Sequence, residues 1–163
     1  MTTAASGLFL ASSAMAADQK IAVVNFQEVM GKIPQTAAVM KSLEEEFKDA
    51  KAVLAQLEQD IKYNQEKKKR DGSLMSAKEI EDLDAKIAVL FQDYQTKGKA
   101  FQQQTGNRKN EETNKIIALV RQAIDNIAAK GDYDLVLEQS AVVYSKPDST
   151  ITAKVVEQVS KLN

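Results

Sequence analysis

The 163-residue chain contains no His, no Cys and no Trp. Without His or Cys there can be no thiol nucleophile, no Ser-His-Asp triad, no thiolate-bound cluster and no zinc site of the Cys/His kind. Proline occurs twice and glycine six times, so turns are scarce and long uninterrupted elements are expected. Neither sign of charge dominates: 22 basic and 23 acidic side chains leave a formal net charge of -1. A general nucleic-acid binder carries a basic excess that this chain lacks. Acidic runs such as Glu44-Glu45-Glu46 and Glu111-Glu112 fall on a helical face with no cleft, so they read as solvated surface rather than acid/base pairs. What remains is 44% hydrophobic and 28% charged: a helix-rich chain that works by shape and contact, is not an enzyme and needs no cofactor.

Residues 1–16 carry no charge. They combine the apolar run Gly7-Leu8-Phe9-Leu10-Ala11 with an A-x-A cleavage site at Ala14-Met15-Ala16. This reads as the back half of a secretory signal peptide lacking its basic n-region. The run is too short to span a bilayer. The mature chain is expected to be 17–163, exported as a soluble protein.

Lys20 to Phe26 is a short β-branched apolar run and reads as a buried strand. Asn25 is placed to cap a short helix with Glu28 as its capping-box partner. Pro34 suits the first turn of the next helix. From Ala37 to Lys130 there is no proline. Met40, Leu43, Phe47, Ala50, Leu54, Leu57 and Ile61 recur at spacings of 3 and 4, a heptad seam. It runs into Lys67-Lys68-Lys69-Arg70-Asp71-Gly72, where Gly72 is expected to take a left-handed cap. Ser76 and Glu79 then form a capping box that starts a second helix. Its seam is Ile80, Leu83, Ile87, Leu90, Tyr94, Lys97 and Phe101, at the same alternating spacings.

The two seams test each other. In an antiparallel hairpin turning at 72–75, facing residues share a nearly constant index sum. Phe47–Phe101, Ala50–Lys97, Leu54–Tyr94, Leu57–Leu90 and Ile61–Ile87 all give 147 or 148. Neither seam alone imposes that agreement, so the spacing predicts an antiparallel coiled-coil hairpin. Towards the tip the same register sets Asn64 against Leu83 and Lys68 against Ile80. Residues 37–71 would span roughly 50 Å and residues 76–130 roughly 80 Å. The return helix overshoots by about 20 residues, and there Ile116, Ile117, Leu119, Val120, Ala123, Ile124 and Ile127 widen its apolar face. That stretch should pack into a body.

Gly131 ends the long helix. Tyr133 to Glu138 and Ala141 to Tyr144 read as short strands, in a hairpin or meander with strand 20–26. Thr152 is placed to cap a last helix with Val155, Val156, Val159 and Leu162 on one stripe. The expected fold is α+β, mostly α: a long antiparallel coiled-coil hairpin arm, 37–110, protruding from a small β-sheet or barrel-like oligomerisation body, 17–36 and 111–163. Such a body is short of core for its size, which points to oligomerisation. Its strand residues are Ile21, Val23, Val24, Leu135, Val136, Leu137, Val142 and Val143. The seam of the arm rests on Phe47, Leu54, Leu57, Ile61, Ile87, Leu90, Tyr94 and Phe101.

Three further features bear on function. Lys67, Lys68, Lys69 and Arg70 could meet a client or a membrane surface; the ordinary reading is a solvated helix end complementing the macrodipole. Gly98 and Gly106 lie in a polar stretch of the return helix and mark an arm hinge, set against tolerated glycines in a straight helix. Val53, Val89 and Phe91 are apolar and off the seam and could line the inner arm surface and touch client chains; the ordinary reading is scattered exposed apolar residues.

The segment from Ala17 to Asn25 resembles the first strand of the Skp/OmpH family of periplasmic chaperones. Asn110-Glu111-Glu112, Tyr133 to Leu137, Ala141 to Tyr144 and Ile151 to Val156 are similar to that family in order and spacing. The resemblance implies a homotrimer with a small barrel-like body and three helical arms around a cavity. It implies an ATP-independent periplasmic holdase that encloses unfolded outer-membrane proteins before their insertion. Family members can be strongly basic and attract anionic lipid or lipopolysaccharide headgroups; the pI of this chain, ≈ 5.6, weakens such long-range capture. Two other readings are an adaptor coiled coil that binds one folded envelope partner and a prefoldin-like cytosolic holdase, the second opposed by the leader.

Overall fold

The computed structural model describes residues 19–162, and the leader 1–16 lies outside the described residues. The chain opens with strand β1, Ile21–Val24. Helices α1, Phe26–Lys32, and α2, Pro34–Glu46, follow. The arm is built from α3, Lys48–Asp71, a 3-10 turn at Gly72–Leu74, and the 55-residue helix α4, Ala77–Gly131. Strand β2, Leu135–Glu138, two short 3-10 turns and helix α5, Thr152–Ser160, complete the body. This is the expected fold class: mostly helical, with a long hairpin on a small strand-containing body.

The capping chemistry placed the helices well. Ser76 and Glu79 form the full capping box at the start of α4, and Pro34 occupies the first turn of α2. Asn25 Oδ1 accepts from the Glu28 backbone N–H at 2.8 Å, but the box does not close. Glu28 turns to Lys32 instead, at 2.6 Å. The Asn25 N–H is engaged elsewhere, donating to Thr152 Oγ1 at 2.9 Å. Thr152 is therefore not a cap: it is the first residue of α5 and spends its hydroxyl on the far end of the body.

Three expectations are corrected. Gly72 is right-handed, φ -57° and ψ -32°, because the 3-10 turn carries the chain round the tip without a left-handed residue. The left-handed residue is Asp132, φ 49°, after Gly131. A Cβ at Gly131 would stand 2.5 Å from Cε2 of Tyr133, so a side chain there would have to displace that ring. The sheet is parallel rather than a hairpin or meander, pairing Ile21 with Leu135 through Val24 with Glu138. The whole arm forms the crossover between the two strands. Ala141–Tyr144 is not a strand: Gln139–Ala141 is a 3-10 turn and the next residues find no ladder partner within the described chain. β1 instead meets Thr150 on its other side, and Ile151 N–H donates to the Val23 carbonyl at 2.9 Å.

The core is one cluster. Ala22 and Val24 of β1 and Val29 and Ile33 of the first turns meet Ile116, Val120, Ala123 and Ile127 of α4 and Ile151, Val155 and Val159 near the C-terminus. The α4 residues recur at 4, 3 and 4, so the helix that forms one wall of the arm also supplies the largest part of the core.

Candidate functional site

The arm is two antiparallel helices, and one layer of the register read from sequence, Phe47 with Phe101, is in direct contact. The Phe47 and Phe101 rings meet edge to face, centroids 5.8 Å apart at 89°, the arrangement aromatic pairs prefer. Leu43, Phe47, Ile61 and Leu83 are buried, and Leu54, Leu57, Ile87, Leu90, Tyr94 and Phe101 are half-buried. Met40 is exposed and leaves the seam. Lys97 is exposed too, and the inward position is Gly98. The inner positions of α4 thus run 83, 87, 90, 94, 98, 101 and 105, with one spacing of 4 more than a strict heptad allows. A straight helix drifts against a 3.5-residue repeat, and the extra residue restores alignment.

Opposite Gly98 the register sets Ala50, so one layer of the arm is made of two small residues. Grooves of about 240 Å³ and about 460 Å³ flank this layer, both walled by Leu54 and Phe101. Val53 lines the smaller one. Val89 and Phe91 are exposed apart from it.

Α break in the outgoing helix also falls here. Phe47 separates α2 from α3 with φ -100° and ψ 5°. α4 runs unbroken through Gly98 and Gly106, with open space where either glycine would carry a Cβ. Backbone hydrogen bonds still span it, from Phe47 N–H to the Leu43 carbonyl at 3.1 Å and from Lys51 N–H to the Phe47 carbonyl at 3.0 Å, so it is a local distortion on the helix opposite the glycines.

At the arm base Arg108 ties the two helices together. Its guanidinium donates to Glu46 at 3.1 Å, Glu111 at 2.8 Å and Glu112 at 3.0 Å. Lys115 joins Glu111 at 3.0 Å and Glu112 at 2.9 Å. Hydrogen bonds from Lys115, and then from Arg108, hold the Glu111 carboxyl below the usual carboxylate range. Glu112 is lowered chiefly by Lys115, against a desolvation that works the other way. Glu46 and the two glutamates raise Arg108 in turn. The sequence reading missed this hub. Its signal was the i,i+3 and i,i+4 spacing of Arg108 to Glu111 and Glu112.

The basic run at the tip is largely answered by acids. Lys68 Nζ lies 2.6 Å from Asp84, and Arg70 pairs with Asp71 at 2.9 Å. From Asn64 to Asp84 there are five cations and six anions. Lys67 and Lys69 have no ion-pair partner among the described residues. Leu74 at the tip is 88% exposed. One seam position is polar: Asn64 is 4% exposed and donates to the Asp60 carbonyl at 2.6 Å.

In the body, Val23 and Val24 are buried, Val136, Leu137 and Val142 half-buried, and Ile21, Leu135 and Val143 exposed with Tyr144. At the far pole Lys20 Nζ donates to the Gly131 carbonyl at 2.6 Å and sits 4.8 Å over the Tyr133 ring. Among the described residues no group of acids could hold a metal ion, and no helix is long and apolar enough to cross a membrane.

Fold and site together define a class: a two-helix arm standing on a small α/β body, offering grooves and paired charge along its length. The comparisons identify the class. Residues 20–159 match the family described as "Outer membrane protein (OmpH-like)". The "Chaperone protein Skp" of Yersinia enterocolitica is 37% identical over 159 residues, covering 98% of this chain and 97% of that protein. The protein of the same name from Photorhabdus luminescens is 39% identical over 160 residues, with 98% and 97% covered. A crystal structure from Caulobacter crescentus, titled as a putative outer membrane chaperone (OmpH-like), shares the fold with a TM-score of 0.74 at 15% identity, over 94% of this chain and 90% of that one. The chain belongs to the OmpH-like family of Skp chaperones.

Proposed function

We propose that this chain is an ATP-independent holdase chaperone for unfolded outer-membrane proteins, without enzymatic activity. The observation that carries the reading is the arm: a hairpin locked in register at Phe47–Phe101 and braced by Arg108, joined to the core through one continuous helix. Full-length relatives named as Skp chaperones support it. Three copies would assemble through the body, 17–36 and 111–163, and their arms, 37–110, would surround a client. The exposure of Ile21, Leu135, Val143 and Tyr144 in a single chain supports assembly that covers them. A barrel-like sheet would then form between copies. The leader directs the chain to the periplasm, where it acts as a soluble protein. Clients would be kept apart by shielding their apolar strands from one another.

Lys67, Lys68, Lys69 and Arg70 would contribute little to capture of anionic lipid or lipopolysaccharide, since acids offset the run. The test is turbidity of several unrelated barrels diluted from urea, with the mature chain present and ATP absent. Stoichiometric suppression for all of them supports the holdase. Suppression of none, with tight binding of one folded envelope protein, would establish an adaptor instead.

A further inference from the structure

The Ala50–Gly98 layer is the thinnest in the arm. Gly98 faces inward where a heptad places a large residue, and a Cβ there would meet nothing within 4 Å. Immediately on either side stand the largest residues of the seam, Phe47 with Phe101 and Leu54 with Tyr94. The layer is therefore bordered by two shallow grooves, one lined by Ala50 and the other by Gly98, with Leu54 and Phe101 as walls common to both; together they are called the slot. One flank is floored by Ala50, Ala100 and Phe101, and the other by Tyr94, Gly98 and Phe101.

The mouths differ from the rest of the arm in charge. Lys97 is the one charged residue lining the first groove, and Lys99 the one lining the second. Glutamines supply the other polar rim groups, Gln104 on one side and Gln95 and Gln102 on the other. No acid lines either groove, although acids are as common as bases in the chain as a whole. Apolar walls with a lysine at the lip suit an apolar side chain whose neighbours are acidic or neutral, and disfavour a basic segment.

We infer that the Ala50–Gly98 slot is a client subsite: it receives an aromatic or large aliphatic side chain of an unfolded polypeptide flanked by carboxylates. This rests on the holdase reading and adds a place and a chemistry to it. A gap left within an otherwise filled seam forgoes packing, and an incoming side chain restores it. Glutamines beside the groove can pair with the backbone of an extended client.

The test uses the full mature chain and fluorescent peptides read by anisotropy. One peptide carries a central Phe between aspartates. In a second the Phe is Ser, and in a third the aspartates are lysines. The wild-type chain should prefer the first by about tenfold over either of the others. The double variant Ala50→Leu with Gly98→Leu fills the slot from both helices. It should lose that preference while its helical melting temperature rises. Gly98→Ala leaves most of the slot open while stiffening the helix, and should bind within about twofold of wild type. Equal binding of the three peptides by the wild type overturns the inference. So does a filled variant that keeps the preference. Loss in Gly98→Ala as large as in the double variant would assign the effect to backbone bending. Barrels held by wild type and filled variant alike would leave the holdase standing and remove the slot. Barrels that aggregate with the wild type would remove the holdase itself.

Discussion

The ring of Phe47 stands edge-on to the ring of Phe101, 54 residues later in the chain, at the one point where the outgoing helix is interrupted. The pair does two things at once. It fixes the register of the hairpin, and it packs the two helices together where the outgoing one is distorted. Phe47→Ala should cost about 3 kcal/mol, and the loss should be local to the arm. Hydrogen exchange should speed over 43–57 and 94–105 while residues 116–127 in the core stay protected. Uniform acceleration would mean that arm and core melt as one unit.

Asn64 occupies a buried seam position with an apolar neighbour in the facing helix, Leu83 by register. A lone polar group at such a position specifies pairing at a cost in stability. Asn64→Leu should raise the stability of the arm by about 1 kcal/mol and loosen its register. Disulfide trapping of paired cysteines introduced in and out of register reads the second effect. The native chain contains no cysteine to interfere.

The Arg108 hub gives the arm base an acid sensitivity. Glu111 and Glu112 are held below the usual carboxylate range by Lys115 and Arg108. Their ionised forms therefore favour the folded state. That contribution is complete above the unfolded value of about 4.3, and it fades as the pH falls through the lowered folded values. In thermal melts this contribution to the midpoint should hold above that unfolded value and fall as the pH is lowered below it. Glu111→Gln with Glu112→Gln should flatten that acid slope and lower the midpoint at pH 7. An unchanged slope would show that the hub contributes nothing.

How much of this was legible beforehand depends on how local the cause is. The capping box at Ser76, the place of Pro34 and the hairpin register follow from short-range chemistry and periodicity, and they match the structure. A strict heptad carried one turn too far puts Lys97 on the seam; the drift of a straight helix moves the inner position to Gly98. Gly72 suggests a left-handed cap because glycine so often ends helices that way, but here its N–H keeps the helical bond to the Lys68 carbonyl and a 3-10 turn follows. The β-branched residues of Val142 and Val143 favour a strand, and a strand needs a partner that one chain does not supply. Asp84 as the partner of Lys68 was within reach of the register, since the Lys68–Ile80 layer brings it one turn away. The Asn25–Thr152 bond was not, because nothing in either segment announces a contact across 127 positions.

The glycines of the return helix bear on arm movement. We propose that the arm bends where the Phe47 break faces the stretch between Gly98 and Gly106. Spin labels at Ser73→Cys in the assembled protein should give a broad distribution of tip-to-tip distances. Gly98→Ala with Gly106→Ala should narrow it, as each Ala favours helix by roughly 1 kcal/mol. An unchanged width would place the flexibility elsewhere.

The central claim is that the arms hold an unfolded chain between them. Light scattering of the complex formed with one urea-unfolded barrel measures this most directly. The account predicts a single species holding one barrel chain per oligomer, formed without ATP and equally with unrelated barrels, the barrel remaining unfolded by circular dichroism. A complex that forms only with folded partners, or free oligomer beside aggregated barrel, would contradict it.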